Sequence, residues 1–149
     1  MLDRPCNAPD NTLGSIALQA GDGMLCLAPH PDDEVLGCAG LMMLAQRSPE
    51  QREQWLAQRT LQTYTPHTIT APEQLRTALA HIRAQDWALS EQQLELHYRG
   101  VAVPLRDRNG DAVAALSVTM PMGHEPTADA VARVLPVLRE TAQAMRNLI

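Results

Sequence analysis

The chain has no lysine and no phenylalanine, and its only aromatics are two tryptophans and two tyrosines. All twelve basic residues are arginine, and with seventeen acidic residues the formal net charge over 149 residues is −5. That balance excludes broad, sequence-independent binding to nucleic-acid phosphates by this chain alone. A DNA-binding role would need a partner chain or a further segment. The three cysteines, Cys6, Cys26 and Cys38, are odd in number and lack CxxC spacing. They fit neither a disulfide scaffold nor a thiolate zinc cage, which makes a reducing cytosol the expected compartment. The longest apolar run, residues 35–45, falls far short of the roughly 20 residues that span a bilayer. The opening MLDRPCNAPDNTLG lacks the apolar core of a signal peptide, so a soluble, cytoplasmic chain is expected. There is no internal repeat, no low-complexity tract, and no GxSxG, P-loop or GxGxxG pattern, leaving serine-hydrolase and nucleotide readings without support.

What is present suits one domain. A hydrophobic share of 45% with 19% charged residues is enough to bury a core at this length. Residues 1–14 carry no periodicity and read as a loose leader. Residues 15–19 and 24–28 are apolar runs separated by Ala20-Gly21-Asp22-Gly23, which predicts a β-hairpin. A helix is expected from the acidic cluster Asp32-Asp33-Glu34 onward, with Leu36, Met42, Met43 and Leu44 in its body.

Ser48-Pro49-Glu50-Gln51 has the form of a capping box and predicts a second helix ending near Arg59. Residues 64–69 are turn-like, and Thr70-Ala71-Pro72-Glu73 predicts another capping box ahead of Leu75, Ala78, Leu79 and Ile82 at helical spacing. Residues 101–105 and 112–119 read as a β-ribbon around Asn109-Gly110. From Thr127 the apolar residues recur every three or four positions, predicting an amphipathic helix that Pro136 should kink. The methionines are expected in the core or an interface, Trp55 and Trp87 as core anchors, and His67 and His124 at the surface.

Two segments carry resemblances. The stretch MLCLAPHPDDEVLGCAG, residues 24–40, resembles the amino-terminal motif of LmbE/PIG-L zinc-dependent deacetylases. That resemblance implies His30 and Asp33 as zinc ligands and Asp32 as general base toward metal-bound water, a donor set suited to zinc hydrolysis. The family takes a third ligand from a downstream histidine, commonly in an HxxH-type pair, whereas His67, His81, His97 and His124 each stand alone.

The second resemblance covers residues 37–149 through GCAGLMMLAQRSPEQREQWL, the run from YTPHTIT to VAALSV, and VARVLPVLRETAQAM. These are similar, in order and spacing, to the carboxy-terminal effector-binding domain of IclR-family transcriptional regulators. TPHTIT and MPMGHEPT most resemble regulators of protocatechuate and β-ketoadipate catabolism.

The resemblance implies an α+β, GAF-like fold in which an antiparallel sheet is flanked by helices, incomplete on its amino-terminal side. It also implies a pocket for a small organic acid, formed by Gly40, Ser90, Tyr98, Gly100 and Val118. Arg99 is a candidate charge partner for a carboxylate, and a solvated edge-strand arginine is its other reading. The family's winged helix-turn-helix has no counterpart before Ser15. The expected function is therefore a ligand-sensing, oligomerising domain that needs no cofactor, that pairs with itself or with full-length regulators, and that reads no operator alone. The alternatives are a zinc deacetylase fragment and a non-functional fusion.

Overall fold

The computed structural model describes the backbone of residues 24–28 and all of residues 37–149. Its elements are β1 (Met24–Ala28), α1 (Cys38–Gln46), α2 (Pro49–Ala57), α3 (Pro72–Gln85), β2 (Ala88–Glu91), β3 (Tyr98–Arg106), β4 (Ala112–Pro121) and α4 (Thr127–Met145), closed by a 3-10 turn, Arg146–Leu148. The four strands form one antiparallel sheet in the order β1-β4-β3-β2. This is the expected α+β architecture, with helices on both faces. Among the described residues no helix is long and apolar enough to cross a membrane.

Strand alternation assigns the faces. Ala88, Ala102 and Ala115 turn toward α1, α2 and α3, with Leu41, Met42, Leu44, Trp55, Leu75, Leu79 and Ile82 completing that core. Val101, Val103, Leu105, Ala114, Leu116 and Met120 turn the other way, onto Ala130, Leu138 and Ala142 of α4. Strand β3 is covered on both sides, so it reads as a nearly continuous apolar run. Helix α1 is apolar all round and buried from Cys38 to Ala45, because it lies between the sheet and α3.

The local signals explain the ends. Ser48 caps α2 through a complete box: Gln51 N donates to Ser48 Oγ at 3.2 Å, and Ser48 N donates to Gln51 Oε1 at 3.0 Å. The β3–β4 turn has Asp107 N donating to Asp111 O, Asp107 Oδ1 accepting from Asn109 N and Asp111 N, and Gly110 at φ +93°, a conformation glycine reaches without steric cost.

Two expectations change. Thr70 does not cap α3: Pro72 occupies the start of the helix, which makes Ala71 the cap residue, and no side-chain bond is made there. Strand β2 was not expected at all. Helix α4 continues through Pro136, which lies on its exposed side where carbonyls can bond water. The first strand of the amino-terminal hairpin, residues 15–19, and the acidic start expected for the first helix lie outside the described residues.

Candidate ligand-binding face

Helix α1 meets the sheet closely at its amino-terminal end. The Cys38 thiol is within hydrogen-bond reach of two carbonyls, Ala88 O at 3.3 Å and Gly100 O at 3.2 Å, and donates to one at a time. A Cβ at position 100 would lie 2.8 Å from Cys38 Cβ, so only glycine permits this approach. Burial pushes the Cys38 thiol far up, only partly offset by the Ser90 backbone, which makes it a structural group and no nucleophile.

The amino terminus of α1 has Gly37 as its cap residue, and among the described residues no side chain closes its first turn. Two small polar residues face it from the sheet. Ser90 on β2 pairs with Gly100, and Ser117 on β4 pairs with Ala102, and both are buried. Among the described residues neither hydroxyl has a hydrogen-bond partner. Beyond them on the same face, Tyr98 and Thr119 are exposed, so the sheet is open to solvent at this end.

The rim here is tied down by threonines. Thr65 Oγ1 donates to Gln92 O and Thr68 Oγ1 to Gln93 O, the latter at 2.5 Å. These bonds hold the β2–β3 loop, whose two ends, Gln92 at φ +56° and His97 at φ +67°, adopt the left-handed conformation. Such residues cost about 1–3 kcal/mol each and persist where the surroundings over-determine them. Here Gln92 N donates to Tyr98 O at 2.8 Å, and His97 N to Gln92 Oε1 at 3.1 Å.

The residues singled out in the sequence are divided between the two faces. Gly40, Ser90, Tyr98 and Gly100 belong to the α1 side. Arg99 and Val118 belong to the α4 side, because neighbours along a strand point opposite ways. One ligand on the α1 side would not touch them. Nor is Arg99 solvated or on an edge: it is 3% exposed on an internal strand. Its Nη2 donates to Glu125 O at 3.1 Å, and its Nε stands 3.5 Å from Glu91 Oε2. The Glu91 carboxylate in turn accepts from Thr127 Oγ1.

Sequence reading overlooked Ser117, Glu91 and Thr127. Counting alternation outward from the Asn109-Gly110 turn would have assigned Ser117 and Arg99 to their faces. Nothing local marked the four-residue strand that carries Glu91.

Two other places are poorer candidates. A groove of about 200 Å³ between α2 and α3 is lined by Arg52, Glu53, Leu56, Arg76 and Leu79. It is smaller than ordinary ligand pockets, and Arg76 is already occupied by Glu53, at 2.7 and 2.9 Å. The residues of the deacetylase-like motif, His30, Asp32 and Asp33, lie outside the described residues. Among the described residues no group of three His, Cys, Asp or Glu side chains could hold a metal, and His67, His81, His97 and His124 are all exposed.

Comparison with known proteins agrees with this fold. The chain is 32% identical over 111 residues to the Pca operon regulatory protein of Acinetobacter baylyi, covering 74% of this chain and 40% of that protein. It is 31% identical over 110 residues to the p-hydroxybenzoate hydroxylase transcriptional activator of the same organism, covering 74% and 41%. It thus spans about two fifths of the length of these relatives.

Among solved structures, the inducer-binding domain of the PobR transcription factor from Acinetobacter, a double mutant in complex with 3-hydroxybenzoic acid, matches with a TM-score of 0.73. Identity to it is 30%, over 76% of this chain and 65% of that one. An IclR homolog from Microbacterium hydrocarbonoxydans complexed with 4-hydroxybenzoate matches with a TM-score of 0.65 and 32% identity, over 75% and 44%. The family model described as "Bacterial transcriptional regulator IclR C-terminal" matches residues 36–147, and the chain belongs to that family.

Proposed function

We infer that this domain senses a small organic acid, an aromatic carboxylate foremost, at the seam between the amino terminus of α1 and the sheet. The observation that carries the reading is Ser90: a residue only 8% exposed whose hydroxyl has no hydrogen-bond partner among the described residues, beside a helix start that no described side chain caps. A carboxylate fits both, since free helical N–H groups and a hydroxyl donor favour negative charge without a nearby cation. The ring of such a ligand would lie toward the open end of the sheet, beside Tyr98, because Cys38 already fills the space over Gly100. Arg99 and Val118 would stay outside direct contact. The hydroxybenzoates bound by two structural relatives are of this chemical class.

In this reading the domain pairs with a second copy or with a full-length regulator in the cytoplasm, and operator recognition lies with a separate DNA reader. Ligand control then requires different affinity for two states of the assembly. Among the described residues nothing supports zinc hydrolysis.

Calorimetric titration with 4-hydroxybenzoate and protocatechuate tests the assignment. Removing a hydrogen bond to a charged group costs about 1.5–3 kcal/mol, so Ser90→Ala should weaken binding roughly 10- to 100-fold. No heat from a folded sample, or full affinity in Ser90→Ala, would refute it.

A further inference from the structure

Ser90 and Glu91 are consecutive in a strand of four residues, so one faces α1 and the other faces α4. Whatever moves Ser90 moves Glu91. Strand β2 is at the edge of the sheet and bonded on one side only, which leaves it the more freely displaced of the pair it forms with β3.

Glu91 has two suitors. Thr127, the first residue of α4, lies with its Oγ1 at 3.0 Å from Glu91 Oε1 and 2.9 Å from Oε2. A hydroxyl has one proton and serves one oxygen at a time. Arg99 Nε lies 3.5 Å from the same Oε2. Both Nε and Nη1 of Arg99 are buried without a hydrogen-bond partner. Buried charged donors left unpaired are costly, so the arrangement seen leaves Arg99 incompletely satisfied. A shift of roughly 0.6 Å would bring Nε to ordinary hydrogen-bond distance from Oε2. The start of α4 is tied in at a second point as well: Arg99 Nη2 holds Glu125 O, and the Glu125 carboxylate is held by Arg133 at 3.0 and 2.8 Å.

We propose that Glu91 is a two-position latch, bonded to Thr127 in one state and to Arg99 in the other, by which the α1 side of the sheet controls the first turn of α4. The coupling rests on the ligand assignment above. A ligand seated on Ser90 draws β2 toward α1, Glu91 leaves Thr127 for Arg99, and the amino-terminal turn of α4 is released. The pair Glu91 and Thr127 are positioning residues, since neither touches the ligand.

The test uses the whole chain, following solvent exchange of the Arg99 Nε–H by NMR and of the backbone amides of residues 128–131. With 4-hydroxybenzoate as probe, the Arg99 signal should become roughly tenfold better protected and the α4 amides correspondingly less so, the scale of one net hydrogen bond. Thr127→Val removes the competitor and should give the protected Arg99 signal without probe, with Thr127→Ala as the second variant should valine disturb packing. An Arg99 signal indifferent to both variants in folded protein overturns the latch. A probe that binds while neither signal responds overturns the coupling. Protection in the variants together with no binding by the wild type upholds the latch and removes the ligand assignment instead.

Discussion

Replacing Gly100 with alanine adds one methyl group where the structure has no room for it. The new Cβ would stand 2.8 Å from Cys38 Cβ, about 1 Å inside ordinary carbon contact distance. Overpacking of this kind costs about 1–3 kcal/mol. Gly100 has no left-handed backbone conformation that alanine would strain, so restricting the unfolded chain returns about 0.4–1 kcal/mol. The net expectation is a loss of about 1–2 kcal/mol, or a melting temperature lower by roughly 3–8 °C at this chain length.

Thermal and urea unfolding followed by circular dichroism measure it, and a double-mutant cycle identifies the cause. The clash is between two β-carbons. Cys38→Ala keeps its Cβ and should leave the cost of Gly100→Ala intact, whereas Cys38→Gly should abolish it. A neutral Gly100→Ala, or equal rescue by both partners, would show that α1 does not press on the sheet at this point.

Two further outcomes are expected. Glu53 is held below the ordinary carboxylate value by its hydrogen bonds from Arg76, and Glu125 by those from Arg133. Groups lowered in the folded state contribute stability that is present above their unfolded value and lost as the pH falls through the folded one. Melting temperature should therefore decline below about pH 4.5, the ordinary value, and decline less steeply in Glu125→Gln; identical profiles would refute this. Separately, Ser48→Ala should cost about 1 kcal/mol by opening the capping box of α2. An unchanged urea midpoint would contradict that.

Much of the fold was legible because its signals are local. The capping box at Ser48, the Asn109-Gly110 turn and the spacing of Leu75, Leu79 and Ile82 each act within a few residues. Strand β2 was hidden for the opposite reason: Ala88-Leu89-Ser90-Glu91 owes its extended form to pairing with β3 and has little preference of its own. The α3 start was misread because Thr70 and Glu73 match a pattern that the intervening Pro72 overrules.

At the site, the family resemblance supplied Gly40, Ser90, Tyr98 and Gly100 as residues of one face. It also grouped Arg99 and Val118 with them, although alternation sets these two behind the sheet. The burial of Arg99 could not be read from sequence, since it depends on α4 returning from over twenty residues away to cover it.

The two ends of α1 are fastened by bonds of unequal strength. At the carboxy-terminal end Arg83 donates to Ala45 O at 3.1 Å and Arg47 O at 3.2 Å, while Arg106 donates to Gln46 Oε1 at 3.1 Å and to Asp86 Oδ1 at 2.7 Å. At the other end the fastening is a thiol, a weak donor. The start of helix α1 therefore depends on its close packing over Gly100, and its end on charged donors from α3 and β3.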